Sequence, residues 1–332
     1  MNELSGRFGS DEDSLRSEDA PLLTGAGRFV DDINFAGQAY GAFVRAPVGH
    51  GKLRGVDGAA ALAMPGVLAV LTGADLKAAG LGDIPPAITF PGKDGMAMAA
   101  APKPVLAYEK IRHAGEAVAL VVAESAAQAA DAAEAVVLDI EILPAVPAVA
   151  GALAANAPQV WDSAPGNVAF EWVDGDEDAV HAAFESATHI SKVSLFDNRL
   201  APVSMEPRGG IGEWDDALGR YTLTAATQGV SLVSKTFAAH VFKTEPENVR
   251  VLTHDVGGGF GMKAHPYPEY AAVMFAARQV GRPVKWCNSR LESFLADTAG
   301  RDTLIDAEMA FDGDGKVLGL RVKNRVGMGA YL

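Results

Sequence analysis

The sequence predicts a mixed α/β fold of the α+β type, arranged as two successive globular regions. Nearly half of the 332 residues (49%) are hydrophobic, which supplies enough apolar side chains for one or two buried cores. Short apolar runs of strand length are interspersed with amphipathic runs of helix length. The 36 glycines and 18 prolines indicate many turns and loops between these elements.

The first region begins after residues 1–20, which predict a mobile tail. This tail is polar and acidic and lacks the basic start and apolar centre of a secretion signal. No later stretch reaches the ~18 apolar residues of a membrane span. The sequence therefore predicts a cytoplasmic protein.

Residues 21–146 form the first predicted domain. Its apolar runs predict three strands: Val67–Thr72, Ala117–Ala123 and Val137–Ile142. Residues 125–137 predict a helix, because Ser125 can cap it and alanine favours helices. Residues 81–104 hold many glycines and prolines and predict a long loop. Residues 147–166 are rich in alanine and proline with little periodicity and predict a linker.

The second predicted domain covers residues 167–332. Its predicted strands are residues 188–196, 210–214, 220–227 and 248–255, followed by a hairpin of Thr303–Phe311 and Val317–Val326. Its predicted helices are residues 177–187, residues 231–242 and Pro268–Val280. Gly281 and Pro283 mark the end of the last helix. We expect this domain to be incomplete, truncated at its C-terminal end.

Net charge and cysteine content exclude several classes of partner and site. The net charge of −14 disfavours nucleic acid and anionic membranes, since both repel an acidic surface. The one cysteine, Cys287, excludes an internal disulfide and an all-cysteine iron–sulfur cluster on this chain. A lone thiol suits a reducing compartment. Its neighbours predict a buried strand, which favours an inert thiol.

The strongest local feature is a glycine-rich loop at residues 257–261, Gly-Gly-Gly-Phe-Gly. Consecutive glycines lose much conformational entropy on folding. A backbone bent through positive φ, or one pressed against a ligand, can explain that cost. Bare N–H groups in succession also form a nest for anionic oxygens.

Two common glycine motifs do not fit this loop. A dinucleotide-binding fingerprint starting at Gly257 requires glycine at position 262, where the chain has Met262. The phosphate-binding Walker loop requires Lys directly after Gly, but Met262 separates Gly261 from Lys263. A flexible turn remains an alternative, and a nucleotide-binding loop of another kind is a third possibility.

Other catalytic signatures are missing from the sequence. There is no H-E-x-x-H, no G-x-S-x-G, and no metal-ligand spacing among the seven histidines. Glu206 lies between apolar neighbours, and we expect it to form a structural ion pair with Arg208 or Arg199.

At the glycine loop the chain resembles the molybdenum hydroxylases, the family of xanthine dehydrogenase, aldehyde oxidase and carbon monoxide dehydrogenase. Residues 257–263 match the G-G-G-F-G-x-K loop of the family's molybdopterin-binding large subunit. Further segments are similar to the same subunit: residues 15–33, 41–76, 112–144, 227–229 and 283–290, and the closing hairpin. The resemblance implies a hammerhead-like α/β domain followed by the first molybdenum-cofactor-binding domain.

The resemblance also implies which residues meet the cofactor. The amide of Gln228 would face an oxo ligand of molybdenum, and a neutral amide suits that role because it does not ligate the metal. The backbone of Gly258, Gly259, Phe260 and Gly261 would lie against the pterin, with Phe260 also forming a wall of the substrate pocket. The alternative for Gln228 is a residue at a helix start that faces water.

By resemblance, such enzymes hydroxylate an aldehyde, an N-heterocycle or a similar small molecule with oxygen from water. Electrons leave through [2Fe–2S] clusters to FAD. We expect both groups on partner subunits, a small [2Fe–2S] subunit and a medium FAD subunit. The pterin is expected in its cytosine dinucleotide form, with no metal ligand and no catalytic residue on this chain.

Two departures from the family pattern qualify this expectation. The family's subunit is more than twice as long, and its later half carries the general-base glutamate. Another polypeptide would therefore supply the C-terminal half, or the chain is a non-catalytic structural subunit of the same fold. Ala264 stands where xanthine-type enzymes carry a substrate-binding glutamate, so residues 262–268 look closer to the carbon monoxide dehydrogenase branch.

Overall fold

The computed structural model describes Arg16 and residues 18–331. Most of the predicted tail therefore lies outside the described residues, and its last part enters a short helix, α1 (Asp19–Leu23). The mixed α/β class is confirmed by the elements that follow. In the first part of the chain they are β1 (Ala39–Arg45), β2 (Gly51–Asp57), α2 (Ala59–Leu62), β3 (Val67–Thr72), α3 (Gly73–Ala78), β4 (Lys110–Ile111), β5 (Ala117–Ala123), α4 (Ala126–Glu134), β6 (Val137–Ile142) and α5 (Val149–Ala152).

All three strands predicted in the first region are confirmed at their limits as β3, β5 and β6. The predicted helix is α4, and the Ser125 hydroxyl caps it by accepting a hydrogen bond from the Gln128 N–H. Strand β5 is fully buried, which explains its unbroken apolar run.

The second part of the chain contains α6 (Glu177–Ser186), β7 (His189–Asp197), β8 (Gly209–Asp215), β9 (Arg220–Ala225), α7 (Val230–Thr236), β10 (Val249–Leu252), α8 (Pro268–Val280), β11 (Val284–Cys287), α9 (Arg290–Ala296), β12 (Thr303–Phe311) and β13 (Val317–Val326). The predicted helix 231–242 changes at Phe237 into a π-helical turn, Phe237–Phe242. The predicted strand 248–255 ends at Leu252, where the chain turns toward the glycines.

Helix α9 was not predicted, although its start has a sequence signature. Ser289 and Glu292 form a reciprocal capping box, in which the Ser289 hydroxyl accepts from the Glu292 N–H and the Glu292 carboxylate accepts from the Ser289 N–H. The S-x-x-E spacing is the known signal for this cap. The helix is only seven residues long, too short for a clear apolar period.

A seven-stranded sheet of order β10-β9-β8-β11-β1-β5-β3 organises the described residues. Parallel pairing of β1 with β11, with Ala39 opposite Val284, joins strands from both sides of the predicted linker. One sheet therefore takes strands from both predicted domains, and the limits of these domains stay a prediction.

Helix α8 packs against this sheet and is buried over most of its length. Its close approach needs glycine on β8, because a Cβ at Gly212 would lie 2.4 Å from the carbonyl oxygen of Val273. Tyr270, Met274 and Trp286 fill the core beneath it.

Two smaller sheets complete the architecture, in the orders β4-β2-β6 and β13-β12-β7. The second contains the predicted hairpin, confirmed at its limits, and helix α6 packs on it. In the part of the chain that the structure describes, no helix is both long and apolar enough to cross a membrane.

Candidate cofactor-binding site

The glycine loop, residues 257–261, follows the end of β10 and bends through left-handed backbone. Gly258 has φ 96°, Phe260 has φ 51° and Gly261 has φ 79°. Glycine adopts such angles without steric cost, but Phe260 does not. A non-glycine residue held in this region is locally strained, and such strain concentrates at functional sites.

The carboxylate of Glu206 anchors the loop. Its Oε2 accepts hydrogen bonds from the Gly257 N–H and the Lys263 ammonium, both at 2.8 Å, and its Oε1 accepts from the Val30 N–H at 3.2 Å. Glu206 and Gly257 approach so closely that a Cβ at Gly257 would lie 2.5 Å from the Glu206 Cβ. The start of the loop is thus fixed by contacts that exclude any side chain.

The expected ion pair of Glu206 forms with a different partner. Arg208 and Arg199 were predicted, but the partner is Lys263, whose side chain is fully buried. The prediction was wrong because it considered neighbours in sequence, whereas the glycine turn brings Lys263 back over Glu206. Burial lowers the pKa of Lys263 even though Glu206 raises it.

Gln228 lies directly against the middle of the loop. Its N–H and the Thr227 hydroxyl both donate to the Lys263 carbonyl oxygen, at 3.1 and 2.9 Å. A Cβ at Gly259 would lie 2.3 Å from the Gln228 Cδ and 2.5 Å from its Oε1. Gly259 therefore leaves the space that the Gln228 side chain occupies. The structure brings together these two residues, which the sequence had linked only through resemblance.

The loop has several hydrogen-bond donors without a partner among the described residues. The N–H groups of Gly258, Gly259, Phe260 and Gly261 donate no hydrogen bond to any residue that the structure describes, nor does the side-chain amide of Gln228. The Phe260 side chain is 72% exposed. Consecutive free N–H groups on a backbone with αL residues form a concave anion site.

A buried charged network supports the loop from below. Arg208 is fully buried and pairs with Glu269 and Asp297, while Arg45 donates to the Glu269 Oε1 at 3.0 Å. Burial would raise the pKa of Glu269, but the charges of Arg208 and Arg45 outweigh it and hold the pKa well below its ordinary value. The ring of Tyr267 lies 3.7 Å from the Arg208 guanidinium.

Tyr267 also connects this network to the loop. Its hydroxyl donates to the Met262 carbonyl oxygen at 3.1 Å and accepts from the Thr298 N–H. Met262 directly follows the last glycine. Both ends of the loop are therefore held by buried groups, while its middle stays open.

The described residues include one thiol, Cys287, which is held in an unreactive state. The Cys287 thiol donates to an Asp31 carboxylate oxygen at 3.3 Å, and burial raises its pKa to about 12. Such a thiol is a poor nucleophile at neutral pH. Within Arg16 and residues 18–331, no group of three or more His, Cys, Asp or Glu side chains could hold a metal ion.

Sequence reasoning missed how Glu206, Thr227 and Lys263 hold the loop. The available signal was the position of Lys263, directly after the glycines. A cation that is buried there needs an anion nearby. Nothing in the local sequence shows that Glu206 is that anion, because the two residues are far apart along the chain.

Family profiles match both parts of the chain. The profile for the aldehyde oxidase and xanthine dehydrogenase a/b hammerhead domain covers residues 24–144. The profile for the molybdopterin cofactor-binding domain covers residues 160–332, more than half of the chain.

Individual relatives agree with these profiles. The nicotine 6-hydroxylase large subunit of Paenarthrobacter nicotinovorans is 35% identical over 320 residues, covering 95% of this chain and 38% of the relative. The carbon monoxide dehydrogenase large chain of Hydrogenophaga pseudoflava is 35% identical, with 95% and 39% covered. The chain thus spans about two fifths of the length of these relatives.

Solved structures show the same fold. Carbon monoxide dehydrogenase from Oligotropha carboxidovorans superposes with a TM-score of 0.84 at 31% identity, covering 94% of this chain and 39% of that one. Quinoline 2-oxidoreductase from Pseudomonas putida 86 gives a TM-score of 0.82 at 34% identity, with 94% and 38% covered.

Proposed function

Since this chain belongs to the molybdopterin-binding large subunits of the xanthine dehydrogenase, aldehyde oxidase and carbon monoxide dehydrogenase family, we propose that it holds the molybdenum cofactor on residues 257–261. One observation carries this proposal: Gln228 lies over Gly259, beside four consecutive backbone N–H groups that have no partner among the described residues. The cofactor-binding residues proposed are Gln228, Gly258, Gly259, Phe260 and Gly261.

The loop fits the group by its shape and by its donors. Molybdopterin is large and anionic, so it needs a surface without protruding side chains and with several hydrogen-bond donors. Gly258, Gly259 and Gly261 supply the bare surface, and the free N–H groups supply the donors. Gln228 adds a neutral amide, which can donate to an oxygen on the metal without replacing a ligand.

When bound, molybdopterin supplies the two-electron chemistry by which a small molecule is hydroxylated with oxygen from water. The chain's own contribution is to position that group. The loop N–H groups would fix its anionic face, the Gln228 amide would orient its metal end, and the exposed ring of Phe260 would form one wall of a substrate pocket. We propose an aldehyde, an N-heterocycle or a similar small molecule as substrate.

No residue of this chain is proposed as the general base. Glu206 contacts the loop directly, but its oxygens already accept three hydrogen bonds, from Gly257, Lys263 and Val30. A carboxylate held in this way is a structural anchor. The base would come from a glutamate on the part of the family subunit that this chain does not match.

Another polypeptide would supply the second wall of the substrate pocket, on the open side of the loop. Phe260 is 72% exposed, and Met205, next to Glu206, is 89% exposed. Large apolar side chains that are exposed close together are typical of a surface that a partner covers. The proposed partners are a polypeptide with the remaining part of the large subunit, a medium FAD subunit and a small [2Fe–2S] subunit, all in the cytoplasm. The cytosine dinucleotide form of the pterin is proposed with them.

The same open side also favours a second candidate, a non-catalytic structural subunit of this fold. It differs from the first in one measurable property, the retention of molybdenum. Co-expression of the chain with the three proposed partners, followed by metal analysis of the purified complex, distinguishes them. About one molybdenum per complex supports the first candidate, and a stable complex without metal supports the second.

A matched pair of variants tests the role of Gln228. In the active complex, Gln228→Ala should lower the rate of dye reduction by about 10²-fold, since loss of one oriented donor commonly costs this much. Gln279→Ala removes an exposed glutamine on α8 and should leave the rate unchanged. Equal rates for both variants would remove Gln228 from the site.

A further inference from the structure

A surface cleft lies between helix α7 and strand β10, which is an edge strand of the seven-stranded sheet. Its volume is about 330 Å³, within the range of sites that hold small molecules. Helix α7 begins just after Gln228, and β10 leads into the glycine loop. The cleft therefore lies beside the elements that carry the proposed cofactor site, but other residues line it.

The walls of the cleft are largely apolar. Val230 comes from α7, Val249 and Val251 come from β10, and Pro246 comes from the short turn before β10. Val249 is buried, whereas Val230 is 38% exposed, so the cleft extends from the protein interior to its surface. Apolar walls with a small number of polar groups are the usual composition of a small-molecule site.

Two arginines, Arg220 on β9 and Arg250 on β10, supply positive charge to the cleft. Neither guanidinium forms an ion pair or a hydrogen bond with another residue that the structure describes. Burial raises the pKa of the nearby Glu213, and the charge of Arg250 opposes this shift, but the two groups form no ion pair. The Nε of Arg220 is itself buried and has no partner in the described part of the chain. Since a buried donor without a partner commonly indicates an unseen water or ion, Arg220 points to an acceptor from outside the chain.

The polar groups of the cleft favour a ligand with a single negative charge. Besides the two guanidinium groups, the exposed side chains of Ser231 and Glu247 line it, which leaves one net positive charge. One carboxylate group would balance this charge, whereas a dianion such as phosphate would exceed it and be repelled by Glu247. The volume and the valine walls also leave room for a hydrocarbon part, which free phosphate lacks.

We propose that this cleft binds a small organic carboxylate, with its carboxylate group on Arg220 and Arg250 and its hydrocarbon part on the valines. Guanidinium groups suit this role because their fork of N–H donors matches the two oxygens of a carboxylate. The Ser231 hydroxyl would donate a further hydrogen bond. The cleft is separate from the glycine loop, so this inference does not depend on the proposed function.

The test measures binding of benzoate to the full 332-residue chain by isothermal titration calorimetry, in a buffer without other carboxylates or phosphate. Benzamide has the same ring without the charge, and inorganic phosphate has charge without the ring. Arg220→Gln/Arg250→Gln removes both positive charges of the cleft, and Lys316→Gln/Lys323→Gln removes two exposed positive charges from the β12–β13 hairpin as a matched control. We expect saturable binding of benzoate to the wild type, weakened at least about tenfold by the arginine pair and unchanged by the lysine pair.

Several results would overturn the proposal. They are no binding of benzoate to the wild type, equal binding by the Arg220/Arg250 variant, and binding of benzamide or phosphate as tight as that of benzoate. Equal urea midpoints for the variants and the wild type show that folding is intact. Where the double variant does not fold, Arg250→Gln changes an exposed side chain and gives the same test. Because the titration uses the chain without molybdenum, its outcome is independent of whether the glycine loop holds the cofactor.

Discussion

Replacing Gly259 by alanine tests the contact between the loop and Gln228 with the smallest change available. The new Cβ would lie 2.3 Å from the Gln228 Cδ and 2.7 Å from its Cγ. Carbon atoms in contact sit about 3.5 Å apart or more, so the Gln228 side chain must move by roughly 1.2 Å. The Gln228 amide is the free end of a flexible side chain and makes no hydrogen bond to the described residues, so it will move and the backbone will stay.

The expected cost is therefore in function and not in folding. Gly259 does not have a positive φ, so alanine can adopt its backbone conformation, and Gly-to-Ala changes at such sites alter stability by about 1 kcal/mol or less. A displacement of about 1 Å at a positioned group commonly lowers the rate by ~10²-fold. We expect Gly259→Ala to lower turnover by about two orders of magnitude while its urea midpoint stays close to that of wild type.

The assay compares dye reduction, molybdenum content and urea unfolding for the co-expressed complex. Gly55→Ala is the matched control, since a Cβ at Gly55 meets no atom within 4 Å and its φ is not positive. It should retain both activity and metal. Full turnover in Gly259→Ala would show that the position of Gln228 does not matter, and the reasoning about this loop would be wrong. A large loss of stability would show instead that the backbone had moved.

Two further variants probe the strain of the loop and the charged network beneath it. Gly261→Val places a β-branched residue at φ 79° in open space. Urea unfolding should show a loss of about 1–2 kcal/mol in stability from left-handed strain alone, and unchanged stability would contradict the strain. The molybdenum content of the complex should fall, because the new side chain covers the loop. Glu269→Gln should lower stability at pH 7 by about 3–5 kcal/mol, because it removes the buried negative charge that Arg208 and Arg45 share. The folded-state pKa of Glu269 is depressed, so its contribution is fully present above the ordinary value of 4.5 and is lost as the pH falls below it. Urea midpoints measured from pH 7 down to pH 3 should therefore fall more steeply for wild type than for Glu269→Gln, and parallel curves would contradict this assignment.

The sequence predicts the elements of this fold where one physical signal dominates. Buried strands such as Ala117–Ala123 appear as continuous apolar runs, and Pro268–Val280 is bounded by a proline at its start and a glycine after its end. Pairing across the sheet is not predictable in the same way. The parallel pair of β1 and β11 joins residues about 245 positions apart, and nothing near Ala39 in the sequence specifies that partner.

The candidate site also has a part that the sequence predicts and a part that it does not. The glycine loop is visible because a run of glycines has a conformational cost that needs a reason. Its anchors are not visible, since Glu206 and Lys263 are 57 residues apart along the chain. Resemblance to a family placed Gln228 beside the loop, whereas its local sequence fits a helix start equally well. A long-range contact made by one flexible polar side chain leaves no periodic trace in the sequence.

The shape of the loop argues that it is formed before any ligand arrives. Left-handed backbone at Phe260 lowers stability, and a free loop would relax to remove this strain. The Glu206–Lys263 pair fixes one end, and the Tyr267 hydroxyl fixes the other through Met262. Because buried contacts hold the strain, the donors stay aligned without a ligand, and binding an anionic cofactor requires little ordering of the chain. Loss of the Glu206–Lys263 pair should then weaken cofactor retention through disorder of the loop, although neither side chain is proposed to touch the cofactor.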